Sequence, residues 1–184
     1  MNSTHKHQHG GKSSELIVDT ETVLELLDIT PGQSILDAGC GNGYMTKLFS
    51  ELTGIEGKVY AIDAHENSIE NLKSEFSAEN TEVHLASITE RMPIEDASVD
   101  LVYLSNVFHG FTDGQISSFK KETSRILKPS GRLAVLEFKK EDTGFGPPLN
   151  IRYTPEELEK AVGMKAEICS PAGSFNYLSV FRFE

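Results

Sequence analysis

From residue 34 onward the sequence alternates between short, unbroken apolar runs and longer stretches with a helical repeat, and few folds accommodate that order. Apolar runs at 34–36, 59–62, 83–86, 101–104 and 133–136 read as strands. Between them, 44–52, 69–76 and 116–127 carry helical spacing. Strands that are apolar on both faces are covered on both faces, as in a parallel sheet flanked by helices. Upstream, Val23, Leu24, Leu26, Leu27 and Ile29 form a short amphipathic helix capped by Asp19 or Thr20 and broken at Thr30-Pro31-Gly32. Thr154-Pro155-Glu156-Glu157 is a helix start, with Thr as cap and Pro in the first turn. The runs 166–169 and 177–183 are joined through Pro171-Ala172-Gly173, a link so short that the two strands must pair antiparallel. The fold class is therefore α/β, a doubly wound Rossmann-like sheet with helices on both faces.

A chain of 184 residues with 38% apolar and 24% charged residues suits one domain, expected over 15–184. Residues 1–14 contain His5, His7 and His9 among polar neighbours and read as a flexible, His-rich N-terminal tail. Alternating histidines can bind transition metals, but a solvated tail is the preferred reading and no metal site is assigned. No apolar run approaches the roughly 20 residues that span a bilayer, so stable membrane insertion is not expected. The net charge of −11 argues against nucleic acid as a partner, because such binding draws on clustered Lys and Arg. Cys40 and Cys169 are the only cysteines, too few for a disulfide framework, and a cytoplasmic setting follows by default.

The sharpest local feature is Asp37-Ala38-Gly39-Cys40-Gly41-Asn42-Gly43, between the first strand and the next helix. In a doubly wound sheet this turn lies at the carboxyl edge, where ligands bind, and glycines admit a tight bend and a close ligand. Asp63 stands at the tip of the second strand, twenty residues beyond Gly43, where a carboxylate can accept from both hydroxyls of a ribose. Together they indicate an adenosine-type ligand. The dinucleotide pattern G-x-G-x-x-G is not met, since the third glycine comes one residue early. Asp37 would also repel a pyrophosphate, whereas it would attract a ligand that carries an ammonium and a sulfonium. S-adenosylmethionine (SAM) carries both.

This motif resembles the first motif of class I SAM-dependent methyltransferases. Met92-Pro93-Ile94-Glu95-Asp96-Ala97-Ser98-Val99-Asp100 and Leu127-Lys128-Pro129-Ser130-Gly131 bring it closest to the ubiquinone/menaquinone-biosynthesis-like branch, of the methyltransferase domain 11/25 type. The resemblance implies a seven-stranded sheet, mostly parallel, with the last strand antiparallel. It also implies roles for named residues. Asp37 would lie near the methionine end of SAM, with Ala38 in the same motif. Gly39, Cys40 and Gly41 would line methionine and ribose, and Gly43 would close the bend. Asp63 would hold the ribose hydroxyls, and Ala64 would touch the adenine. Ser87 and Ile88 would flank the adenine, and Asn106 and Val107, with Phe108, would run beneath the cofactor. Where the family often has an acid that accepts from the adenine amino group, this chain has Ile88, which cannot accept; one such hydrogen bond is worth about 1 kcal/mol.

His109 follows the fourth strand on the ligand edge and reads in two ways, as a catalytic group that takes a proton or as a residue that shapes the loop. Asp96 and Asp100 read as turn and strand-start residues. The segment 142–153 should overhang the pocket, with Phe145, Arg152 and Tyr153 as possible substrate contacts or as parts of a rigid connector. The function that results is methyl transfer from SAM to a small-molecule acceptor. Its alternatives are a non-catalytic SAM-binding module and an NAD-dependent oxidoreductase, the latter disfavoured by Asp37 and by Tyr44 after Gly43. Neither the acceptor nor the oligomeric state is legible in the sequence.

Overall fold

The computed structural model describes residues 18–183, so the His-rich tail lies outside the described residues. Helix α1 (Thr20–Leu27) takes Asp19 as its cap, whose Oδ1 accepts from the Thr22 N–H at 3.2 Å. Strand β1 (Ser34–Ala38) leads through the glycine loop into α2 (Tyr44–Thr53), and β2 (Lys58–Asp63) into α3 (Glu66–Glu75). Strands β3 (Thr81–Leu85) and β4 (Val99–Ser105) follow, then α4 (Asp113–Ile126) and β5 (Leu127–Phe138). Helix α5 (Pro155–Val162) precedes the hairpin of β6 (Ile168–Pro171) and β7 (Asn176–Arg182). Both α4 and α5 open on capping boxes, Thr112 with Gln115 and Thr154 with Glu157, which satisfy otherwise unpaired N–H groups.

The seven strands form one sheet in the order β3-β2-β1-β4-β5-β7-β6. The first five run parallel, and β7 lies antiparallel between β5 and β6. The parallel run and the antiparallel hairpin are those expected from the alternation and from the short Pro171-Ala172-Gly173 link, and the seven strands are those the resemblance implies. Strand direction alternates side chains between two cores. Val102 and Leu104 of β4 pack with Phe119 of α4 and Leu158 of α5, while Leu101 and Tyr103 pack with Val23 of α1 and Phe49 of α2. Helices α1 and α2 thus lie against one of these cores, and α4 and α5 against the other.

Several boundaries differ from those the apolar runs predict. Strand β5 begins at Leu127, directly after α4, because the Ala97 and Ser98 N–H groups take up the last carbonyls of that helix, Arg125 and Ile126. The register with β4 shifts between Val99 and Leu101, and this irregularity accommodates Pro129 and Ser130. Strand β3 starts two residues earlier than its apolar core, at Thr81, and α3 starts three earlier, at Glu66. The first strand of the hairpin sits two residues later, at Ile168. No helix among the described residues is long and apolar enough to cross a membrane.

Candidate cofactor and acceptor site

Strands β1 and β2 are parallel neighbours, with Asp37 opposite Ala61 and Ala38 opposite Ile62. Asp37 and Asp63 therefore share the carboxyl edge of the sheet, and the glycine loop arches between them. The Ile62 carbonyl accepts from the N–H groups of Gly39 (2.7 Å) and Cys40 (3.0 Å), which turns the chain. The Asp63 carboxylate accepts from the Gly41 N–H at 2.9 Å and from the His65 N–H at 2.8 Å. It braces the loop and the start of α3 rather than capping that helix through its first turn, since His65 is the cap residue.

The three loop glycines have φ of 73°, 53° and 76° at Gly39, Gly41 and Gly43, a region that favours glycine. Two are required by the protein's own packing. A Cβ on Gly39 would come within 2.9 Å of Val107 Cγ2, and one on Gly43 within 2.3 Å of Leu72 Cδ1. Around Gly41 nothing lies within 4 Å of that position, so its bare backbone faces open space.

Asp37 is 3% exposed, and its Oδ2 accepts from the Thr46 hydroxyl at 2.6 Å. Burial raises its carboxyl from the ordinary 3.8 to about 7; the Thr46 hydrogen bond opposes the rise and the Asp63 charge adds to it. Two carboxyl groups beside a side-chain-free bend make a setting that a cation relieves and a phosphate worsens. The donor set therefore fits SAM, whose sulfonium and ammonium are cationic, and fits a pyrophosphate poorly.

The remaining predicted residues gather at this same edge. The Ala86 N–H donates to the Asp63 carbonyl at 3.0 Å, which brings the end of β3 to the site. Ser87 bonds Thr89 at 3.0 Å, and Ala64 is exposed. Ile88 is 7% exposed and packs with Leu36, Ile62 and Met92. That position is a piece of core, which accounts for an apolar residue there. Asn106 has φ of 55°, and its Oδ1 accepts from the buried Asn176 Nδ2 at 2.9 Å. Val107 presses on Gly39.

His109 sits in a short 3₁₀ turn (Phe108–Gly110) and is 6% exposed. Its Nδ1 lies 2.7 Å from Glu137 Oε2, and its N–H donates to Glu137 Oε1 at 3.2 Å. Glu137, at the end of β5, is fully buried. Sequence reasoning missed it, although a single acid in Leu133-Ala134-Val135-Leu136-Glu137-Phe138 was a visible signal. Thr46 was missed too, because a threonine on the buried face of a helix carries no mark of its partner.

The Arg152 side chain is engaged by the loop itself. It is 5% exposed, and its guanidinium donates to the carbonyls of Lys139, Glu141, Phe145 and Pro147 and to Thr143 Oγ1. It fastens the loop after β5. Beside His109 that loop leaves a cleft of about 370 Å³, lined by Phe111, Lys140, Asn150, Ile151, Arg152, Tyr153 and Glu157. Asp96 and Asp100 are structural, as expected: Asp96 pairs with Arg125 at 2.5 Å, and Asp100 with Lys128 at 2.7 Å.

A doubly wound sheet of this order, with a carboxylate-led glycine loop and an acid on the next strand, defines a class I SAM-dependent methyltransferase. Residues 35–131 match the family described as methyltransferase domain. The chain belongs to this methyltransferase-domain family, and its cofactor is S-adenosylmethionine. It is 31% identical over 152 residues to a ubiquinone/menaquinone biosynthesis C-methyltransferase (UbiE) of Cronobacter sakazakii, across 80% of this chain and 58% of that protein. The corresponding protein of Vibrio campbellii is also 31% identical, across 81% of this chain and 57% of its own length. The chain thus spans less than two thirds of these relatives. Among solved structures, a SAM-dependent methyltransferase from Aquifex aeolicus superposes with a TM-score of 0.84 at 26% identity, covering 95% of each chain.

Proposed function

We propose that this protein transfers a methyl group from SAM to a small-molecule acceptor held in the cleft beside His109. The observation that carries the reading is the placement of Asp37, the uncovered Gly41 backbone and Asp63 at one sheet edge. Gly39, Cys40 and Gly41 line the methionine and ribose, Asp63 takes the ribose hydroxyls, and Ala64 and Ser87 border the adenine above the apolar floor of Ile88. Asn106 and Val107 lie beneath the cofactor. SAM supplies an already activated methyl group, so the protein chiefly binds, orients and shields. The small-molecule acceptor is supported by the modest cleft and by the relatives' quinone-biosynthetic names. A cytoplasmic location is supported by two unpaired cysteines.

Calorimetry with S-adenosylhomocysteine tests the cofactor site. The wild type should bind, and Asp63→Ala should bind about 10- to 100-fold more weakly, the scale of lost charge-assisted hydrogen bonds. Equal affinity of the two would overturn the assignment. Transfer of a radiolabelled methyl group from SAM to a small-molecule extract, over many turnovers, tests catalysis and separates it from passive binding.

A further inference from the structure

The cleft beside His109 does not end at Tyr153. Tyr153 and Glu157 also line a second hollow of about 490 Å³, so the two cavities meet at these side chains. The second runs as a groove between α4 and α5. Lys120 Nζ donates to the Ala161 carbonyl at 3.2 Å, which places the far end of the groove at the last turn of α5. Tyr153, just ahead of the α5 cap Thr154, marks the near end. Asp113, at the start of α4, lines the groove seven helical residues before Lys120, a rise of about 10 Å.

Charge changes sign along this groove. Toward Tyr153 the charged groups are the carboxylates of Asp113 and Glu157, and Lys140 neutralises Glu157 at 2.7 Å. At the far end they are Lys120 and Lys160. Neither lysine enters an ion pair among the described residues: Glu159 is held by Lys165 at 2.6 Å, and Glu156, one turn before Lys160, lies beyond pairing distance. Lys120 uses one of its three N–H donors on the Ala161 carbonyl, which leaves two. Between the ends Ile116, Ser117 and Ala161 present short or apolar side chains without charge. An anion is repelled at the near end and attracted at the far end, so a negatively charged guest is held in one direction only. In the cleft itself Lys140 is paired and the Arg152 guanidinium is bonded to loop carbonyls. Phe111, Ile151 and Tyr153 supply apolar wall there, which matches an uncharged group.

Resting on the methyl-transfer reading above, we infer that the acceptor is an amphiphilic anion that occupies both cavities. Its uncharged head lies in the cleft beside His109, an apolar tether of about 10 Å follows the α4–α5 groove, and an anionic end group sits between Lys120 and Lys160. The two lysines select the charged end and orient the head toward the cofactor edge.

The test titrates the full chain with 11-(dansylamino)undecanoate, a fluorescent probe with an uncharged aromatic head, an alkyl tether and a carboxylate, and with its uncharged methyl ester. The wild type should bind the carboxylate saturably and more tightly than the ester. Lys160→Glu should weaken the carboxylate about 3- to 10-fold and leave the ester within about 2-fold, whereas Lys160→Arg should keep the wild-type preference. Ser117→Trp, which fills the groove, should weaken both probes. S-adenosylhomocysteine affinity should stay within about 2-fold in all three variants, which shows that they fold; if the wild type binds none, the methyl-transfer reading falls rather than this one. The radiolabelled product that the wild type forms from SAM and a small-molecule extract should be retained on an anion-exchange resin at pH 8. No saturable binding of the carboxylate by the wild type, equal losses of the two probes in Lys160→Glu, unchanged binding in Ser117→Trp, or a product that passes through the resin would each overturn the inference.

Discussion

Asp37 is a carboxyl group that the fold holds near half protonation at neutral pH, at about 7 against an ordinary 3.8. The sign of the consequence follows from linkage. Between about pH 4 and 7 the folded chain keeps a proton that the unfolded chain releases, so Asp37 favours folding at low pH, and that contribution is lost as pH rises through 7. Asp37→Asn should flatten this part of the stability–pH curve in thermal melts. A cationic ligand favours the ionised form, so SAM should bind more tightly at pH 8 than at pH 6 and should release a proton. Calorimetry in two buffers of different ionisation enthalpy reads that proton directly. The loop glycines separate packing from binding in the same way. Gly43→Ala drives a methyl group into Leu72 and should cost about 2–4 kcal/mol in urea unfolding. Gly41→Ala meets no protein atom and should cost about 1 kcal/mol of stability, while cofactor affinity falls markedly. Burial, with the Asp37 and Asp63 charges nearby, pushes the Cys40 thiol far up, whereas Cys169 is exposed. A maleimide reagent should therefore label Cys169 rapidly and Cys40 slowly.

Among the elements, the loop after β5 shows best what a sequence discloses and what it withholds. Gly144, Gly146, Pro147 and Pro148 mark a loop at once. That Arg152 folds back into it, with its fork spread over carbonyls from Lys139 to Pro147, is a matter of three-dimensional reach that spacing cannot reveal. Arg152→Lys keeps the charge but not the planar set of donors. It should leave the loop prone to cutting by protease within residues 139–147, with Arg152→Ala more so, and mass mapping of the fragments would show it. The glycine loop and Asp63 were legible because backbone conformation and strand-end position restrict residue type. Glu137 and Thr46 were not, because their partners, His109 and Asp37, are joined to them only by the packing of separate elements. Ile88 stood out in the sequence as a missing acid, and the structure accounts for it as an apolar contact with Leu36 and Ile62.

At the scale of the whole molecule, strand direction followed from the alternation of runs and from one tight link, because topology is narrowly constrained once strands and helices alternate, whereas the order of the strands was not read from the sequence. The exact ends were harder to read, since β5 and α3 extend through polar residues whose hydrogen bonds, not their hydrophobicity, fix them. The central strands serve two cores at once. Leu101→Ala and Leu104→Ala empty opposite sides of β4, and each should cost about 2–5 kcal/mol. Both should shift one shared unfolding transition, measured by circular dichroism and by tyrosine fluorescence alike, because neither core persists without the sheet. The Asn106–Asn176 hydrogen bond carries a consequence in time. Asn176 opens β7, which follows the five parallel strands in the chain, yet its amide donates to Asn106, just beyond the end of β4. A nascent chain that has emerged only through β5 would therefore hold the turn after β4 without this partner, which arrives when β7 slides in between β5 and β6.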